Sequence, residues 1–194
     1  VANTSGNENV AVGCNALDSN TTASNNVAIG RNSLKSNTTG SNNTAIGHNA
    51  MYINTTGTEN VAVGKQTLYH NTANYNTAVG HYALESNTSG SGNVAVGKQT
   101  LDANTTGSNN IGVGRDAAKN NTSGNNNTAV GDDALEANTT GGSNVAIGKS
   151  ALKANTTAIQ NVGVGDNALT ANTTGTKNAA LGQSALEANT TADE

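Results

Sequence analysis

The chain has 194 residues, a formal net charge of −4, and no Pro, Phe or Trp. Asn, Thr, Gly and Ala dominate it, which excludes a thick core of large side chains and leaves two options: a disordered polar chain, or a thin regular fold held by backbone ladders. The acidic balance excludes the basic footprint of a nonspecific nucleic-acid binder, and no apolar run reaches the ~20 residues of a membrane span.

Repetition decides between the two options. A glycine closes an apolar triplet at Gly13, Gly30, Gly47, Gly64, Gly80, Gly97, Gly114, Gly131, Gly148, Gly165 and Gly182, always 17 residues apart except for the 16 between Gly64 and Gly80. From residue 1 to 194 the chain therefore reads as one array of about eleven 17-residue coils. The first element in each coil is a strand such as Val10-Ala11-Val12, then Val27-Ala28-Ile29, and so on along the chain. The large–small–large alternation is strand periodicity. After the glycine comes a segment ending in Leu, then an Asn-Thr turn that leads into the next strand. Seventeen residues are too few for a strand plus a crossover helix, and Asn, Thr and Gly form helices poorly. The expectation is an all-β parallel solenoid or β-roll whose coils each hold two short strands.

In-register stacking places equivalent residues above one another at about 4.8 Å per coil. The valines and isoleucines, with Leu, are expected to form inner ladders. The Asn that precedes every triplet (Asn9, Asn26, Asn43, Asn60, Asn76, Asn93, Asn110, Asn127, Asn144, Asn161, Asn178) is expected to form a structural ladder of side-chain amides. One coil cannot offset the backbone entropy of its 17 residues, so each depends on its neighbours. The middle triplet position holds only Ala or Gly: Ala11, Ala28, Ala45, Ala62, Ala78, Ala95, Gly112, Ala129, Ala146, Gly163 and Ala180. A solvent-facing strand position would accept Thr or Lys. The restriction is therefore read as close approach of another chain at this row, a homo-oligomer interface, with tight contact inside the coil as the alternative.

The runs NVAVG (9–13), NVAIG (26–30), NTAIG (43–47) and NVAIG (144–148) resemble the head repeats of trimeric autotransporter adhesins. The NTTG…NNTAIG…ALxxN arrangement is also similar to arrays in bacterial surface and phage tail-fibre proteins. The likeness spans essentially the whole chain, although the adhesin-head repeat is shorter than 17 residues. It implies a left-handed β-roll, three chains side by side, an extracellular, cell-surface or virion-fibre location, and an adhesive or structural fibre function. The implied partners are further copies of the chain, as a trimer or an end-to-end filament, and a surface glycan or host-cell receptor.

The variable positions would carry any specific contact. All tyrosines and histidines fall between 48 and 82, which nominates His48, Met51, Tyr52, Ile53, Tyr69, His70, Tyr75, His81 and Tyr82 as a receptor- or partner-contact patch. The residue after each glycine leans basic and the residue after each Leu leans acidic, a pattern that suits either a solvated face or charge pairing between chains. No recurring carboxylate pair, nucleophile–base arrangement, P-loop or zinc spacing is present, so neither enzyme activity, nor a metal, nor a cofactor is expected. Cys14 is the only cysteine and is read as a surface residue. The Asn-Thr-Thr triplets match a glycan-acceptor pattern. A row through Thr21, Thr38, Thr55 and Thr72 offers a rival function, an ordered hydroxyl array for binding ice. A filament subunit without a receptor is the third reading.

Overall fold

The structure is a computed structural model and describes residues 2–193. Eleven three-residue strands follow one another: β1 (Val10–Val12), β2 (Val27–Ile29), β3 (Thr44–Ile46), β4 (Val61–Val63), β5 (Thr77–Val79), β6 (Val94–Val96), β7 (Ile111–Val113), β8 (Thr128–Val130), β9 (Val145–Ile147), β10 (Val162–Val164) and β11 (Ala179–Leu181). Each pairs in parallel with the next, giving one 11-stranded sheet in chain order. Equivalent residues lie opposite one another, Val10 by Val27 and Ala11 by Ala28. The chain is an all-β parallel solenoid, with no helix among the described residues.

Each coil holds one strand, not the two expected. The return half is built from tight turns: Ser33 N–H donates to Gly30 O at 3.3 Å, and Asn37 N–H to Leu34 O at 3.2 Å. Two residues of this half take left-handed backbone, Asn32 at φ 58° and Leu34 at φ 48°, and the pattern recurs in the other coils. Such conformations interrupt a strand and cost a bulky residue such as Leu about 1–2 kcal/mol. Burial of the Leu side chain, worth roughly 1.5–3 kcal/mol, offsets this. Backbone groups not used in turns bond along the stack, as Leu34 N–H does to Ala50 O at 3.0 Å.

The two faces of the strand are the reverse of the expectation. The middle alanines point inward: Ala28, Ala45, Ala62, Ala78 and Ala95 are 0% exposed within the single chain. They pack in one core with the Leu row (Leu17, Leu34, Met51, Leu68, Leu84, Leu101) and with the small residues preceding each Leu. The interface assigned to Ala11, Ala28, Ala45, Ala62, Ala78, Ala95, Gly112, Ala129, Ala146, Gly163 and Ala180 is therefore corrected. From Ala28 to Ala180 this row is enclosed by its own coils, and only Ala11, in the first strand, is exposed. The coil is so thin that Leu from the opposite wall fills it, leaving room for a methyl group. At Gly112 an added Cβ would lie 2.5 Å from the methyl of Thr100. The valines and isoleucines, expected inside, form the outer face instead.

The core also contains two buried rows of Asn. In the pre-strand row, Asn110 Nδ2 donates to Gly124 O at 2.8 Å, and Asn110 Oδ1 accepts the backbone N–H of Asn127 at 2.9 Å. The other residues of this row follow the same scheme, as at Asn26 and Asn43. In the turn row, Asn37 Nδ2 donates to Asn20 Oδ1 at 3.0 Å and to Gly40 O at 2.9 Å. These bonds satisfy amides that would each cost about 1–3 kcal/mol if buried unpaired.

The 16-residue unit keeps the sheet register, with Val61 opposite Thr77. The missing residue comes out of the turn, where Asn71 Nδ2 reaches Ala73 O two residues away. In the complete turns the same bond spans three residues, as from Asn54 to Gly57. The turn row breaks here, and Asn54 Oδ1 is left buried without a hydrogen-bond partner.

Candidate interaction surfaces

The fold positions surface residues in straight rows, because each coil repeats the geometry of the last. The first surface is the outer sheet face. It carries two columns: Val10, Val27, Thr44 and their equivalents, and Val12, Ile29, Ile46 and theirs. Many of these side chains are more than a third exposed, including Val12, Ile29, Ile46, Val96 and Ile111. The result is a largely apolar strip, interrupted by Thr44, Thr77 and Thr128, that nothing among the described residues covers.

The nine-residue patch read from the sequence does not assemble as one surface. Met51 occupies the Leu row and is fully buried. Tyr75 is exposed in the turn before β5, at the opposite end of the strand from the residues that follow each glycine. Tyr52 and Tyr69 do meet, stacked at 5.1 Å with planes 10° apart. Lys35 Nζ covers Tyr52, 5.5 Å from its ring centre, and His70 lies edge-on to Tyr69 at 4.7 Å. His81 and Tyr82 form a second pair, with Lys65 Nζ 5.7 Å from the Tyr82 ring. His48 is exposed and Ile53 half-buried. The Tyr52 ring is covered on one side by Tyr69, with Lys35 also over it, so this pair braces coils along the axis more than it offers an open stacking platform.

Further along, charges pair between coils of the same chain. Arg115 Nη2 reaches Asp132 Oδ2 at 2.7 Å, and Nη1 reaches Asp116 Oδ2 at 3.2 Å. Lys153 bridges Asp133 at 3.0 Å and Glu136 at 3.1 Å. The Arg115 guanidinium, through its hydrogen bond, holds the Asp132 carboxyl below the usual range. Glu85 and Asp102 behave oppositely. Burial raises both carboxyls, and Asp102 raises Glu85 further by its charge. Asp102 Oδ1 is buried with no hydrogen-bond partner.

The structure also places the Thr21 row and the Asn of the Asn-Thr turns. The hydroxyls of the Thr21 row are engaged: Thr21 Oγ1 donates to Thr38 O at 3.1 Å, Thr38 Oγ1 to Thr55 O at 3.0 Å, and Thr72 Oγ1 to Thr88 O at 2.9 Å. They do not form a free array. The Asn of the Asn-Thr-Thr triplets is buried from Asn20 to Asn172, so a glycosylating enzyme has no access to it in the folded chain. Cys14 is exposed and unpaired. Among the described residues there is no enclosed cavity, and no group of three or more His, Cys, Asp or Glu side chains gathers around a metal-sized space.

These surfaces define a β-solenoid repeat protein whose outward chemistry lies in rows. Comparison with protein-family models, curated proteins and solved structures returns no match.

Proposed function

We propose that the protein is a segment of an extracellular structural or adhesive fibre, in which copies associate side by side through the outer Val/Ile/Thr face. The observation that carries this reading is that face itself. Eleven strands at about 4.8 Å make a strip on the order of 50 Å long, and its two columns make it about 10 Å wide. That is on the order of 500 Å² per copy, the size of the largest patch on a typical monomer, which is often functional. Two copies together would bury about 1,000 Å², the lower bound of a specific interface. β-Branched side chains on a flat in-register sheet suit dry packing against a second such sheet. The resemblance of the triplet motif to adhesin head repeats adds three as the expected number of copies and the cell surface or virion fibre as the setting. Function then follows from multivalent display: a stiff scaffold presents identical rows, and weak contacts add along it.

Mass measurement in solution tests the reading, comparing the natural chain with a Val96→Lys/Val113→Lys variant. A dimer or trimer that falls to a monomer with unchanged circular dichroism supports the association, and a trimer supports the copy number. A natural chain that stays monomeric at micromolar concentration overturns the reading.

A further inference from the structure

The residue after each glycine forms a row beside the outer face, and in six consecutive coils it is basic: Arg31, His48, Lys65, His81, Lys98 and Arg115. The backbone beneath the row is rigid. Arg31 O accepts Asn49 N–H at 3.0 Å, His48 O accepts Gln66 N–H at 3.0 Å, and Lys98 O accepts Asp116 N–H at 3.0 Å. Arg31, Lys65 and Lys98 are exposed, and among the described residues none lies within ion-pair distance of a carboxylate. Arg115 differs, because Asp116, Asp132 and Asp133 surround it. It ends the row electrostatically.

The fixed cations therefore fall on alternate coils, about 9–10 Å apart along the axis, with an imidazole between successive ones. The neighbouring row is mostly amide: Asn32, Asn49, Gln66 and Gln99. Asn32 Nδ2 donates to Asn49 Oδ1 at 3.0 Å, which fixes the direction of its hydrogen-bonding groups. Between residues 19 and 101 the only carboxylates are Glu59 and Glu85, and Glu85 is held by Gln66, whose Nε2 donates to its Oε1 at 3.1 Å. This basic track thus stands out on a chain that is acidic overall.

We propose that Arg31, Lys65 and Lys98, with the amides beside them, form a track for a linear anionic polysaccharide lying along the rod. Its acidic groups would recur on alternate sugars, and its hydroxyls would meet the Asn and Gln side chains. Nucleic acid fits less well. Its phosphates recur about every 3.4 Å per strand, and the stacked tyrosines offer no open pair of faces for bases. The track belongs to a single rod, so it does not depend on the side-by-side association proposed above.

Hyaluronan, which carries one carboxylate on alternate sugars, is the probe. Binding of the full chain is measured at low and high salt, with dextran and single-stranded DNA as comparisons. The expected result is salt-sensitive binding to hyaluronan, none to dextran, and weaker binding to DNA. An Arg31→Gln/Lys65→Gln/Lys98→Gln variant should lose at least tenfold in affinity with solution mass and circular dichroism unchanged. A Lys149→Gln/Lys153→Gln/Lys177→Gln variant, with the same charge change outside the track, should keep it. Equal losses in the two variants, DNA binding as tight as hyaluronan binding, or no hyaluronan binding at low salt would each overturn the proposal. A change in mass of the natural chain bears only on the association reading.

Discussion

Asn110→Ala tests the buried amide rows directly. Asn110 is fully buried near the middle of the array. Its Oδ1 accepts the Asn127 backbone N–H, and its Nδ2 donates to Gly124 O. Truncation leaves the Asn127 N–H buried without a partner, at a cost of about 1–3 kcal/mol. Gly124 O keeps a second donor, Asn121 Nδ2 at 3.0 Å, so its loss is only one net hydrogen bond, about 0.5–1.5 kcal/mol. The sum is about 1.5–4.5 kcal/mol. Asn120 is the control: it is exposed, and Asn120→Ala should change stability by less than about 0.5 kcal/mol. Guanidinium denaturation followed by circular dichroism gives the difference. Because coils can open independently in a linear array, amide exchange at Asn127 and its neighbours should show the loss concentrated there. If Asn110→Ala is no more damaging than Asn120→Ala, the amide rows do not hold the stack together and the account of the core is wrong.

Gly114→Ala should destabilise by more than about 2 kcal/mol in the same assay, because the residue sits at φ +136° and a Cβ would collide with Gly131 O. Inserting one Thr after Thr72 restores a 17-residue coil and gives Asn54 Oδ1 the chance of a donor, so the melting temperature should rise, by an amount corresponding to about 1–3 kcal/mol. Glu85 and Asp102 bind their protons more tightly in the folded chain than in the unfolded one. Stability should therefore fall as pH rises from their ordinary values through the raised ones. A Glu85→Gln/Asp102→Asn variant should flatten that part of the pH–stability curve, and an unchanged curve would count against the coupling of this half-buried pair.

The period, the strand positions and the buried Leu row could be read from the sequence because stacking forces every coil to repeat the same constraint. The orientation of the strand does not follow from residue size, because the interior of a 17-residue coil already holds Leu34 or its equivalent and two Asn side chains, so only a methyl fits opposite. Thr44, Thr77 and Thr128 carried the contrary signal, since a hydroxyl at the supposed inner position marks it as the wet side. The second strand was expected because strands are the usual walls of a solenoid. The left-handed backbone at Leu34 and Asn32, which replaces it with turns, has no clear composition cue. The scattered patch failed for a related reason: closeness in sequence places residues on different rows of the coil, and Met51 and Tyr52, though adjacent, face opposite ways.

The shortened coil has a consequence for how the array keeps its place. Elsewhere the buried rows repeat from coil to coil, so position along the rod is written in surface contacts such as Arg115–Asp132 and Lys153–Glu136. At Asn54 and Asn71 the turn-row relay is cut once, and the Tyr52–Tyr69 stack spans the same seam, so an aromatic contact takes over where the amides stop.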